Sequence, residues 1–104
     1  MSSDKIIHVT TLDEIPKTGR VVIDFFADWC GPCKKLAPEF SQLSNKYENI
    51  TFIKVDSDEA EDLAKHYEVS ALPTILFIKD GVTVSVIKGF NLTVLISELD
   101  ELAK

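Results

Sequence analysis

The chain reads as an α/β fold of three layers, in which a central mixed sheet of about five strands carries about four helices on its two faces. Three observations predict it. β-Branched and aromatic runs alternate with helix-like stretches from residue 6 to residue 67, which calls for parallel strands joined by right-handed crossovers. Val21-Val22-Ile23-Asp24-Phe25-Phe26-Ala27 is apolar on both alternating faces apart from one carboxylate, as a strand covered on both sides should be. Near the end, two β-rich runs flank Lys79-Asp80-Gly81, and Asp-Gly is the strongest short hairpin signal, which adds an antiparallel edge.

Taken in order, Ile6-Ile7-His8-Val9 is a short strand, and Thr10 or Thr11 caps a brief helix that Pro16, Lys17, Thr18 and Gly19 bring to an end. The central strand over residues 21–27 follows. Cys33, Leu36, Ala37, Phe40, Leu43 and Tyr47 then recur at three- and four-residue steps, the mark of an amphipathic helix. Pro38 lies inside that helix, where it removes one hydrogen bond and crowds the carbonyl four residues earlier, so a kink is expected and the helix continues beyond it. Residues 50–55 form another strand. Asp58 with Glu61 reads as a capping box for a helix turning Ala60, Leu63, Ala64 and Tyr67 inward. After strands at residues 74–79 and 82–88, Leu92, Leu95, Ile96, Leu99, Leu102 and Ala103 make the stripe of a last helix.

With 104 residues, 45% of them hydrophobic and 27% charged, the chain suits a single domain over residues 1–104 with a core of its own. A net charge of −6 opposes nucleic acid and anionic lipid, both of which are bound through clustered Lys and Arg. The longest apolar runs, such as Ile75-Leu76-Phe77-Ile78, fall far short of the roughly 20 residues that span a bilayer. Met1-Ser2-Ser3-Asp4-Lys5 lacks the apolar core of a signal peptide, so a cytoplasmic protein is expected. Asn49-Ile50-Thr51 and Asn91-Leu92-Thr93 match the glycosylation pattern by chance. The Asp56, Ser57, Asp58 cluster lacks the Gly and the twelfth-position Glu of a calcium loop.

Both cysteines lie in Trp29-Cys30-Gly31-Pro32-Cys33, at the junction of the central strand and its helix. Two cysteines three positions apart are chemical and not architectural, and in a first helical turn they lie close enough for a reversible bridge. Cys30, at the helix start, meets unsatisfied N–H groups and the positive end of the dipole, which favour its thiolate; it is the expected nucleophile. Gly31-Pro32 should leave its sulfur accessible. Cys33, one turn deeper, is the expected resolving thiol and should be the less exposed. Lys34 and Lys35 add positive charge nearby, or simply form a solvated face. Structural zinc would need four ligands, and only His8 and His66 remain to supply them. An inert buried pair is the other alternative.

Asp24 is the second telling residue, because a carboxylate in an apolar central strand costs several kcal/mol unless it is neutral or has a purpose. If buried, it could take the proton of Cys33 as that thiol attacks; the alternative is an outward-facing strand end. Lys54, in the neighbouring strand, is its natural charge partner or else a solvent-facing lysine.

These residues, with Ala37-Pro38, Val55-Asp56, Leu72-Pro73-Thr74, Lys79-Asp80-Gly81 and Gly89, resemble the thioredoxin family along nearly the whole chain. The resemblance implies the thioredoxin fold and a lowered thiol pKa, for which thioredoxins are the standard case. It also implies a cis Pro73 packed against the disulfide, and a Leu72 backbone that pairs with an extended segment of the target. Trp29, Gly31, Pro32, Leu72, Pro73, Gly89 and Phe90 would form an apolar docking rim. Phe26, Leu72 and Phe90 are less usual for the family; Phe90 either enlarges the rim or packs against the last helix. The activity implied is that of a monomeric protein-disulfide reductase and dithiol electron carrier, acting on protein disulfides. No Gly-rich dinucleotide fingerprint follows a strand, so no cofactor beyond the Cys30-Cys33 couple is expected, and a flavoprotein thioredoxin reductase is the implied donor. An oxidant or isomerase usually carries His between the cysteines, where this chain has Pro32. A binding module with incidental cysteines is the alternative from another class.

Overall fold

Among the described residues every strand is drawn into one sheet, whose order follows from which segments are apolar on both faces. The computed structural model describes residues 4–104; of the polar start, Met1, Ser2 and Ser3 lie outside the described residues. The strands are β1 (Ile7–His8), β2 (Arg20–Phe26), β3 (Ile50–Asp56), β4 (Thr74–Lys79) and β5 (Val82–Lys88). They lie in the order β1-β3-β2-β4-β5, with β1 and β2 parallel to β3, and β4 antiparallel to both β2 and β5. The expected central strand is therefore central.

The helices are α1 (Gly31–Lys46), α2 (Glu61–His66) and α3 (Leu92–Ala103). One face of the sheet packs Val22, Phe52, Ile75 and Phe77 against Leu36 and Phe40 of α1 and Leu95 and Leu99 of α3. The other packs Ile23, Phe25, Ile53 and Leu76 against Ala60 and Leu63 at α2. The alternating side chains of β2 thus feed two separate cores, and a three-layer domain results.

Two local expectations need correction. The first predicted helix is a single 3-10 turn, Leu12–Glu14, leaving three α-helices among the described residues rather than about four. Pro16 leaves no room for a second turn, and Glu14 Oε1 accepts from the N–H groups of Thr10 and Thr11, closing the turn on itself. The Asp58–Glu61 capping box is absent: α2 starts after Ala60, which caps without a side chain. Turn hydrogen bonds from the N–H groups of Glu59 and Ala60 to the Asp56 carbonyl delay the helix, so Asp58 lies too early to cap it. β5 carries a bulge opposite Phe77/Ile78, and its Val82, Val84 and Val86 are exposed. α1, by contrast, runs unbroken through Pro38.

The Asp80-Gly81 turn has positive φ at both residues, 50° and 83°, the type I′ geometry that suits the twist of a hairpin. Asn49 and Asn91 have structural roles: Asn49 Nδ2 donates to the Ala103 carbonyl, and Asn91 Oδ1 caps α3 by accepting the Val94 N–H. Among the described residues no helix is long and apolar enough to cross a membrane.

Candidate functional site

β2 ends at Phe26, and the short link to α1 brings Cys30 to the N-cap of that helix. Cys30 is bridged to Cys33 with a Cα–Cα separation of 5.3 Å, inside the range a disulfide requires. Cys30 Sγ also accepts the Cys33 N–H at 3.3 Å, so a free backbone donor of the first turn points at this sulfur. Pro32 occupies the first turn, where its missing N–H costs no helical bond, and no acidic residue lies there to oppose a thiolate.

The expected contrast in exposure is not present. Cys30 is 5% exposed and Cys33 4%, because Leu72 and Phe26 pack against the cluster the two sulfurs form with Ala27. Position in the helix, and not burial, distinguishes the sulfurs in the bridged state. Lys34 and Lys35 are exposed. Gly31 has open space where a side chain would begin, and Pro32 and Trp29 (71% exposed) are exposed beside it, but the accessible Cys30 sulfur expected from this turn is not present, since Cys30 is itself covered.

The Leu72–Pro73 peptide bond is cis, as the resemblance implied. Pro73 is buried, and its carbonyl accepts the N–H of Gly89, which sits at a φ of 90°. Phe90 is half-buried and packs against the α1–α3 core. Among the described residues Leu72 makes no backbone hydrogen bond, which leaves its peptide groups available to an extended chain.

Asp24 is fully buried, so the outward-facing alternative is excluded. Neither of its oxygens has a hydrogen-bond partner among the described residues. Burial, against the opposing pull of the Lys54 charge, raises its carboxyl from the ordinary 3.8 to about 7. Lys54 is the register partner of Asp24 across β2 and β3, yet its ammonium rests 4.5 Å from the centre of the Phe26 ring. A cavity of about 190 Å³, lined by Phe26, Ala27, Asp28, Cys33, Lys34, Ala37 and Lys54, opens beside them. The cavity thus joins Cys33 to Lys54, the register partner of the buried Asp24.

Sequence reasoning missed one hydrogen bond at the site: Trp29 Nε1 donates to Asp58 Oδ2 at 2.9 Å. A signal was there, since an indole N–H seeks a partner and Asp58 follows the strand beside the one that leads to Trp29. Among the described residues no group of three or more His, Cys, Asp or Glu is arranged to hold a metal ion.

Comparison with known proteins adds to this geometry. The family model described as Thioredoxin matches residues 7–101. The chain is 42% identical to "Thioredoxin-3, mitochondrial" of Saccharomyces cerevisiae over 90% of its own length and 77% of that protein. The crystal structure of oxidized mitochondrial thioredoxin 3 from the same yeast superposes with a TM-score of 0.87 at 40% identity, covering 92% of this chain and 94% of that one. It is also 46% identical to a peptide-N(4)-(N-acetyl-beta-glucosaminyl)asparagine amidase of Caenorhabditis elegans, over 68% of this chain but only 12% of the amidase. The chain thus spans about an eighth of the two nematode amidases it matches, at 12% and 13% of their lengths.

Proposed function

The chain belongs to the thioredoxin family, and from that membership we propose that it is a thiol–disulfide oxidoreductase that reduces protein disulfides through Cys30 and Cys33. The observation that carries the reading is the Cys30–Cys33 bridge at the N-cap of α1, with the Cys33 N–H donated to Cys30 Sγ. In the reduced form the same N–H and the helix dipole favour a Cys30 thiolate. That thiolate attacks one sulfur of a target disulfide; the other target sulfur leaves as a thiolate and takes up a proton. Cys33 then loses its proton to Asp24 and attacks Cys30 Sγ. The Cys30–Cys33 bridge forms, the target leaves as a second thiolate, and two electrons have passed to it.

Asp24 suits the proton transfer because burial brings its carboxyl to about 7, near the working pH. Lys54 tunes that carboxylate as its charge partner. Trp29, Gly31, Pro32, Leu72, Pro73, Gly89 and Phe90 form the docking rim, with the Leu72 backbone pairing to the target; the half-buried Phe90 offers only its outer edge. Two electrons from a thioredoxin reductase return the bridge to the dithiol, and no further cofactor takes part. A reducing compartment such as the cytoplasm, where dithiols persist, suits a monomer acting this way as an electron carrier.

An insulin-type disulfide reduction assay with and without a thioredoxin reductase tests the activity. Turnover that depends on the reductase is expected, and Cys33→Ser should accumulate mixed disulfides through Cys30. A Cys30→Ser, Cys33→Ser double variant with full activity would refute the reading.

A further inference from the structure

Lys54 has two places to put its charge. It stands opposite Asp24 in the β2–β3 register and one alternation from Phe26, whose own partner is Asp56. Phe26, Asp24 and Lys54 all project from the α1 face of the sheet, since side chains two apart share a face. The ammonium lies over the Phe26 ring at 4.5 Å, and the Asp24 oxygens receive no hydrogen bond from it. Lys54 and Phe26 are only partly buried and line the cavity of about 190 Å³ next to Cys33, whereas Asp24 is fully enclosed.

We propose that Phe26 is a positioning residue for the redox site: its ring holds the Lys54 ammonium at the mouth of the cavity and keeps it from pairing with Asp24. The physical reason is a balance of solvation. Reaching the carboxylate would strip an ammonium of water, while the ring face attracts the cation at a place still open to solvent. An aliphatic residue at position 26 would fill the same space without that attraction.

The consequence rests on Asp24 as proton acceptor, the role assigned above. A Lys54 ammonium at a distance lowers the carboxyl only partly against burial; a directly paired one would lower it further and leave a weaker base beside Cys33. The other groups facing this space are Cys33 and Lys34 from α1, Asp28 from the β2–α1 link, and Asp56 of β3, two positions from Lys54 and opposite Phe26, with Ile75 of β4 contributing none. Asp56 Oδ1 already accepts the Asp58 N–H, so replacing Phe26 changes chiefly the distance from Lys54 to Asp24.

NMR on the oxidised protein tests this, with the Lys54 εCH₂ protons and the Asp24 carboxyl carbon as reporters. In the wild type the εCH₂ signals should be shifted upfield by the Phe26 ring, and Phe26→Trp should keep that shift. Phe26→Leu should abolish it and lower the Asp24 midpoint by about 1 pH unit or more. In a Lys54→Met background, Phe26→Leu should leave the midpoint where Lys54→Met alone puts it. Lack of an upfield shift in the wild type overturns the proposal whether or not Phe26→Leu folds. So does an unmoved midpoint in folded Phe26→Leu, or an equal movement in both backgrounds. None of these readouts requires proton transfer to occur; that role fails separately, if Asp24→Asn leaves disulfide exchange unchanged between about pH 6 and 9.

Discussion

Asp24 is the one fully buried carboxylate among the described residues. Its carboxyl is fully buried with no hydrogen-bond partner among the described residues, and burial raises it from 3.8 to about 7. The folded state therefore prefers the protonated form. Its contribution is favourable below the unfolded value of 3.8, declines as pH rises, and reaches its full penalty once pH passes about 7. At about 1.36 kcal/mol per pH unit, the penalty comes to roughly 4 kcal/mol. Asp24→Asn should accordingly stabilise the protein by about 2 kcal/mol or more at pH 8 and by little at pH 4, read from urea unfolding at the two pH values. An equal effect at both would mean that charge is not the cause. The residue types at this site were legible from sequence, because a lone carboxylate in an apolar run and two cysteines at helical spacing stand out locally. The hold of Phe26 on Lys54 was not, since it depends on how two strands are aligned.

At the scale of elements, the periodic segments matched their patterns, and the misses fell at the ends. α1 and α3 bury the stripes read for them, and β4 and β5 span residues 74–79 and 82–88 as expected. Asp58 shows why caps are harder: its carboxylate had two prospective partners, and the turn after β3 gave it to the indole of Trp29. The hairpin was specified more tightly. Gly81 has a φ of 83°, which strains any side chain there, while a Cβ added to it would lie 3.4 Å from the Lys17 carbonyl, at the near edge of ordinary contact. Gly81→Ala should cost about 1–2 kcal/mol, measured as a lower urea midpoint at unchanged slope. A change within a few tenths of a kcal/mol would show that the turn relaxes freely.

Over the whole molecule, two cores back one sheet, and the redox site sits where β2 hands over to α1, at the edge of both. The C-terminal half of α3 closes the core it shares with α1: Leu99 is fully buried, and Arg20 Nε and Nη2, from the start of β2, donate to the Leu102 and Lys104 carbonyls at the end of the helix. Leu99→Ala should therefore cost about 2–5 kcal/mol of stability while leaving the rate of disulfide reduction by the folded protein unchanged. A parallel loss of rate in a still-folded variant would mean that the core and the site are coupled. The sequence by itself determined the strands, the three longer helical segments, the hairpin, and the presence of a closely spaced dithiol and a lone carboxylate in an apolar strand, because periodicity, turn chemistry and residue type are local properties. Only the tertiary structure decided that Lys54 faces Asp24 yet rests on Phe26, that Trp29 is tied to Asp58, and that both sulfurs are equally covered. Those contacts join segments about thirty residues apart in the β2–β3 pair, and no local pattern encodes the register that brings them together.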